Sequence, residues 1–401
     1  MKFLKKLLGD ADVTWMPLGE IASIKTGGSV SKQKIADNPG DYPVINSGRK
    51  PLGFINEWNT ENEPLGVTTR GNVGLITWQE GKYFRGNLNY SISVKKEFNI
   101  SDRYLYHLLL FLQRDILNVC TFDAIPALNA NNLKQILIPI PSIDDGKRSM
   151  TIQNKIVRIL DTFTELTTEL TTELRLRQKQ YMYYRDNLLK FNKEGVRPHL
   201  LDKLLGDSDV EWLLLGEIAS IKTGGSVSKQ KIADNPGDYP VINSGREPLG
   251  FINEWNTENE PLGVTSRGAG VGSIIWQEGR YFRGNLNYSI KSKDGVSISD
   301  RYLYHLLLFM QRDIHNVCTF DGIPALNANN LKRILIPIPC PDSTKESLNI
   351  QSKIVNILDK FDMLINSISD GLPREIELRH KQYEYYRDLL FDFPKPKGDV
   401  A

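Results

Sequence analysis

From residue 13 to about residue 141 the apolar positions come in short alternating runs, such as YPVI at Tyr42 and YSISV at Tyr90, bounded by NPGD, NSGR and QEG. Alternation over a few residues, punctuated by Gly, Asn and Pro, predicts short strands and tight turns. One segment breaks the rhythm: SDRYLYHLLLFLQRDIL opens with the start signal Ser101-Asp102 and spaces its apolar residues three and four apart through Leu117, predicting a helix. ILIPIP, from Ile136, closes the stretch as an apolar strand ended by prolines.

From about Thr151 the spacing changes. Ile152, Ile156, Ile159, Phe163, Leu166, Leu170 and Leu174 recur at three and four, with Glu, Thr, Arg and Lys between them, and Tyr181, Tyr184 and Leu188 carry the stripe to about Phe191. This is the pattern of one long amphipathic helix. Roughly 40 residues at about 1.5 Å each make a rod of about 60 Å, longer than the core of one such domain requires.

The whole pattern then repeats. GEIASIKTGGSVSKQKIADNPGDYPVINSGR runs from Gly19 to Arg49 and, letter for letter, from Gly216 to Arg246. The offset is 197 (Trp15 to Trp212, Arg70 to Arg267) and becomes 198 where TTRGN at Thr68 is replaced by TSRGAG at Thr265 (Trp78 to Trp276, Ile159 to Ile357). A period this long marks a duplicated domain with its linker rather than a solenoid. The second long helix carries Ile350, Ile354, Ile357, Phe361 and Leu364, then meets SDGLPREIE, where Gly371 and Pro373 should break or kink it. KQYMYYRD at Lys179 and KQYEYYRD at Lys381 are 202 apart, a four-residue stutter.

These features predict an α+β chain: a first domain over 1–150, a helix over 151–192, a linker over 193–209, a second domain over 210–348, a second helix over 349–392 kinked near 371–373, and a tail over 393–401. Each helix leaves its domain with an apolar stripe to bury. Pairing the two as an antiparallel coiled coil predicts a pseudo-two-fold arrangement of similar mixed α/β modules, and duplex DNA is a ligand with matching local two-fold symmetry.

Composition narrows the function. At 401 residues with 40% apolar content, the chain is long enough for two to four domains, and its longest apolar runs, such as LLLFL from Leu108, fall far short of a membrane span. With no charged-then-apolar leader, a cytoplasmic address is the expectation. Cys120 and Cys318 stand at equivalent places and read as two separate buried thiols, so neither a disulfide nor a metal site is expected. Fifty basic residues against 48 acidic ones leave a net charge of +2, so a nucleic-acid surface must come from segregating charge onto one face.

Four loops have suitable chemistry for DNA. KTGGSVSKQK offers backbone amides at Gly27 and Gly28 with Lys25, Ser29, Lys32 and Lys34 for phosphates, repeated as Lys222, Gly224, Gly225, Ser226, Lys229 and Lys231. INSGR supplies Asn46, Ser47 and Arg49, repeated as Asn243, Ser244 and Arg246. TTRGN supplies Thr69, Arg70 and Asn72, with Ser266 and Arg267 in the divergent second copy. FRGNLNY supplies Arg85, Asn87 and Asn89, repeated as Arg283, Asn285 and Asn287. Arg matches guanine O6/N7 and Asn matches adenine N6/N7. The same Gly-Ser and Asn-Gly combinations also form ordinary solvated turns. ALNANNL, from Ala127, reads as a helix start, His107 and His305 as core-edge side chains, and Tyr181, Tyr183 and Tyr184 as packing groups.

No catalytic signature is present: there is no G-x-G-x-x-G loop, Asn-Pro-Pro-aromatic motif, H-E-x-x-H, G-x-S-x-G elbow, P-loop ending or convincing acidic-x-Lys nuclease core. A coiled-coil scaffold whose repeated modules bind protein or glycan is the competing reading, favoured by the near-neutral charge.

The chain resembles the specificity subunits of type I restriction-modification systems along essentially its whole length. The residues carrying the likeness are VTWMPLGEIASIKTGG from Val13 with VEWLLLGEIASIKTGG from Val210, IQNKIVRILDTF from Ile152 with IQSKIVNILDKF from Ile350, and RQKQYMYYRDNLLKF from Arg177 with RHKQYEYYRDLLFDF from Arg379. The resemblance implies two target recognition domains reading a bipartite DNA site, with the helices serving as a ruler and as docking surface for two modification subunits. It implies a non-catalytic chain: S-adenosylmethionine and adenine methylation reside in those partners, and cleavage in motor-nuclease subunits. Recognition domains of the family commonly differ within one chain. Here they are nearly identical, which predicts a near-palindromic target.

Overall fold

A computed structural model describes residues 2–122, 125–192, 197–245, 247–367 and 371–394. The chain divides into two compact units, Met1–Thr171 with Glu375–Ala401, and Thr172–Arg374.

In the first unit the strands are β1 (Val13–Pro17), β2 (Ala22–Thr26), β3 (Pro39–Ile45), β4 (Phe54–Ile55), β5 (Leu65–Thr68), β6 (Ile76–Trp78), β7 (Phe84–Arg85), β8 (Asn89–Val94) and β9 (Leu137–Pro141). They form an antiparallel sheet in the order β2-β8-β5-β6, a three-stranded sheet β4-β3-β7 whose β3·β7 pair is parallel, and the antiparallel pair β1·β9. The β9 prolines are tolerated because that ladder has only two strands, leaving one side of β9 without bonds to make.

The predicted helix from Ser101 exists but in two pieces, Asp102–Phe111 and Gln113–Asn118, because Leu112 takes φ −80° and ψ 11°, outside the α region. Ser101 caps it by accepting from the Tyr104 N–H. Leu105, Leu108 and Leu109 pack in a single core with Leu18, Ile21, Leu65, Val67 and Ile92.

The long helix runs Gly146–Leu189, starting some five residues before the stripe predicts, where Asp145 accepts from the Arg148 N–H. Its buried positions Ile152, Ile156 and Leu160 complete the first unit's core. Residues at the end of the second helical segment complete it too: Leu390, Phe391 and Phe393 are buried there, Phe391 lies edge-on to Tyr104 at 5.6 Å, and Phe163 stacks on Tyr386 at 5.1 Å. Residues expected to be a tail therefore include a core phenylalanine, and the Trp15 indole N–H donates to the Pro394 carbonyl at 2.9 Å.

The second unit repeats the sheets with Val210–Leu214 on Leu335–Pro339, a four-stranded sheet of Ala219–Thr223, Asn287–Ser292, Leu262–Thr265 and Ile274–Trp276, and a three-stranded sheet of Phe251–Ile252, Pro236–Ile242 and Phe282–Arg283. Within it Tyr184 stacks on Phe361 at 5.3 Å. This contact is the counterpart, inside the second unit, of the Phe163–Tyr386 stack inside the first. The second helical segment is two helices, Thr344–Asn366 and Leu372–Phe391.

Part of the stretch expected as linker is the helix His199–Leu205, whose Leu201 and Leu205 are buried because they match Leu4 and Leu8 of Lys2–Leu8 in the first unit. Cys120 and Cys318 are free but only half-buried, each Sγ donating to a helix carbonyl, whereas Cys340 is the buried one. His107 and His305 sit inside the core, at 0% and 1% exposure, because the long helices cover them. No helix among the described residues is long and apolar enough to cross a membrane.

Candidate nucleic-acid interface

The four candidate loops separate into residues that build the module and residues that face solvent. Arg85 is the clearest builder. Its guanidinium donates to the carbonyls of Glu63 (2.6 Å), Leu65 (3.2 Å) and Tyr90 (3.1 Å), and also bonds the Asn89 side chain and the Tyr83 hydroxyl. Only 2% of it is exposed. Arg283 repeats this with Glu260, Leu262, Tyr288, Asn287 and Tyr281. Burial pushes the Arg283 guanidinium down to about 10, and burial also lowers Arg85. Arg85, Asn89, Arg283 and Asn287 are therefore internal posts between sheet strands, contrary to the sequence expectation. A β-carbon on Gly66 or Gly263 would overlap these arginines, which is why β5 and its counterpart carry glycine there.

Four more pairs are corrected for similar reasons. The Asn46 side-chain oxygen accepts from the Leu88 N–H at 2.9 Å, and Asn243 does the same for Leu286 at 3.0 Å, so both amides fasten the GNLN loop to the end of a strand. Thr69 and Ser266 are buried, and their backbones bond the loops on either side. Gly27 and Gly224 serve a close backbone crossing: a side chain there would strike the Gly86 or Gly284 carbonyl. Gly28 and Gly225 form bridges to Gly86 and Gly284, their amides donating to the carbonyls of Arg85 and Arg283. These amides are not available to phosphate.

The lysines are mixed. Lys25 pairs with Glu63 at 3.2 Å and Lys34 with Glu57, as do Lys222 with Glu260 at 2.8 Å and Lys231 with Glu254, so carboxylates of the same module offset four of the candidate charges. Lys32 and Lys229 stand in the first turn of short helices capped by Ser31 and Ser228, exposed and without ion-pair partners among the described residues. Ser29 and Ser226 are exposed, and Ser47 and Ser244 partly so.

Arg49, Arg70, Asn72 and Asn87, with Arg267 and Asn285, remain exposed, and Arg246 lies outside the described residues. Arg70 is central. It bridges Ala127, at the mouth of a cleft of about 440 Å³ lined by Thr26, Thr69, Arg70, Asn87, Leu88, Tyr90, Thr121, Ala127, Leu128 and Asn129. Three loops distant in sequence thus present one guanidinium, side-chain amides and hydroxyls around an open polar hollow. No metal-competent group of His, Cys, Asp or Glu occurs among the described residues. The ALNANNL segment forms the helix Ala130–Lys134 as predicted, with Asn129 capping Asn131, but it also supplies one wall of the cleft. No local signal marks that second role, because it depends on the pairing of Ala127 with Arg70.

The family described as the type I restriction modification DNA specificity domain matches residues 11–177 and 207–378. The chain is 34% identical to the Escherichia coli type I restriction enzyme EcoR124I/EcoR124II specificity subunit, over 99% of this chain and 98% of that one. Its fold is similar to the crystal structure of the type I restriction-modification system S subunit from M. genitalium, with a TM-score of 0.71 at 22% identity over 96% and 98% of the two chains. A chain from a structural study of complex assembly in the type I system shares the fold at TM-score 0.50 and 16% identity, over 94% and 97%. With the family's domain present twice and a relative matched end to end, the chain belongs to the specificity subunits of type I restriction-modification systems, the non-catalytic members of those complexes.

Proposed function

We propose that each module reads one half of a bipartite DNA target with the exposed set Arg70, Asn72 and Asn87 in the first copy and Arg267 and Asn285 in the second, while Lys32, Arg49 and Lys229 hold phosphates. The observation that carries this is Arg70: an exposed guanidinium without an ion-pair partner among the described residues, on the lip of a polar cleft. An Arg so placed suits a guanine edge, and the neighbouring Asn suits adenine.

Because the modules are almost the same, the half-sites are near-repeats of one another in inverted sense, a near-palindrome of the form XYZ-spacer-Z′Y′X′. Any divergence falls at the base pair facing Asn72 in one copy and Ala269-Gly270 in the other. Two modification subunits, carrying S-adenosylmethionine, dock on the helices and methylate adenine in a cytoplasmic complex that restriction-translocase subunits join.

Methylome sequencing of cells carrying the chain with its modification partners tests the reading. Inverted half-sites differing at one base pair or none are expected, and salt-dependent duplex binding should accompany them. Two unrelated half-sites would overturn it.

A further inference from the structure

Beside the cleft of the first module, and at the equivalent place in the second, stands a short loop with two exposed apolar side chains. Phe320 is 49% and Ile323 71% exposed, and the corresponding Phe122 and Ile125 are 62% and 66% exposed. The loop is well fastened. Thr319 and Ala325 exchange backbone hydrogen bonds at 2.8 and 2.9 Å, the Leu326 N–H donates to the Ser266 carbonyl at 2.8 Å, and the Gly268 N–H donates to the Pro324 carbonyl at 2.9 Å. The last two bonds tie the tip to the loop that carries Arg267. His315 lies against Phe320 with ring centroids 4.7 Å apart, bracing it, and Gly322 supplies the positive φ of 97° that turns the tip.

Two large apolar side chains held out in water on a stiff loop call for an occupant. A protein partner would need an apolar core within a patch of roughly 800 Å² per side, and this tip offers two side chains. The loop that the tip is bonded to carries Arg267, which is exposed and has no ion-pair partner among the described residues. Phe and Ile are among the apolar side chains that proteins insert between base steps, partly unstacking them. Asp321, between them, repels phosphate but accepts from an amino group on a base.

We propose that Phe320 and Ile323, with Phe122 and Ile125 in the first copy, are wedges that insert into the base stack of each half-site next to the bases faced by Arg267 and Arg70. The proposal rests on the DNA-reading assignment above. It adds a deformation of the duplex, so part of the specificity comes from how readily one step opens.

The test uses the full complex with modification subunits and a duplex carrying the target found by methylome sequencing, with 2-aminopurine placed at one position of the half-site at a time. The wild type should brighten the probe at the wedge step as well as at the adenine to be methylated. F122A/I125A/F320A/I323A should lose the first signal, keep the second, and bind the target about ten-fold more weakly with an unchanged salt slope. These residues are exposed, and an unchanged melting temperature verifies the fold. Unaltered probe signals and affinity in the variant would overturn the wedge while leaving the reading of DNA intact. Loss of binding because modification subunits no longer assemble, seen by gel filtration, would also overturn it and make the tip a protein contact. A wild-type complex that fails to prefer the target over random duplex overturns both.

Discussion

The Nδ1 atom of His107 lies 3.0 Å from the Tyr383 hydroxyl, although 276 residues separate them. On its other side, Nε2 is 2.8 Å from Asp161. A carboxylate only accepts, so the ring donates from Nε2 and accepts at Nδ1, which fixes one neutral tautomer. The bond joins the recognition domain to the helix near the end of the chain, inside the first unit. In the second unit His305 keeps its bond to Asp359 at 2.7 Å, but its Nδ1 has no partner among the described residues. Tyr181, which corresponds in sequence to Tyr383, stands against Phe361 instead.

Tyr383→Phe removes a partly buried hydrogen bond, and Tyr181→Phe removes none found among the described residues. The first should cost about 1 kcal/mol of unfolding free energy and the second close to nothing. Urea unfolding of the two variants side by side checks this, and equal losses would refute the asymmetry.

Burial pushes His107 down to about 4 from an ordinary 6.5, against the opposing pull of Asp161, and lowers His305 likewise. The unfolded chain therefore binds the proton first as pH falls. Stability from this source is complete above about 6.5 and is lost as pH drops toward 4, by up to about 3 kcal/mol for His107. Urea midpoints measured through that window should fall in the wild type. His107→Gln, less stable at neutral pH, should show a flatter profile.

Arg85 and Arg70 should respond in opposite ways. Arg85→Ala strips a buried cation from five acceptors, so about 3–5 kcal/mol of stability should go. Arg70→Ala should leave the melting temperature alone and weaken binding to the target by about 1–3 kcal/mol. Thermal melts and fluorescence-anisotropy titrations on both variants separate the roles.

Phe391→Ala should unfold the first unit more readily than the second. Its ring is 1% exposed between Tyr104 and Phe111, and emptying such a site costs about 3–5 kcal/mol. Hydrogen exchange would show protection lost in Asp102–Phe111 while Asp300–Phe309 keeps it.

The repeat, the long helices and the break near Gly371 were all legible in the chain itself, because each is written in local spacing: three and four for a helix facing a core, two for a strand, Gly and Pro for interruption. Charge told little, and rightly so, since several lysines that look available are matched by Glu57, Glu63, Glu254 and Glu260 of the same module.

What spacing could not tell was which Arg and Asn face outward. RGN occurs in both TTRGN and FRGNLNY, yet Arg70 meets solvent while Arg85 is sealed inside. The difference arises because β7 lies where the carbonyls of Glu63, Leu65 and Tyr90 converge, a consequence of sheet pairing between segments far apart in sequence. Residue type and order determined that the chain is two copies of one recognition domain on long helices. The long-range hydrogen-bond ladder alone decided which of its chemically equivalent side chains remain free to meet a ligand.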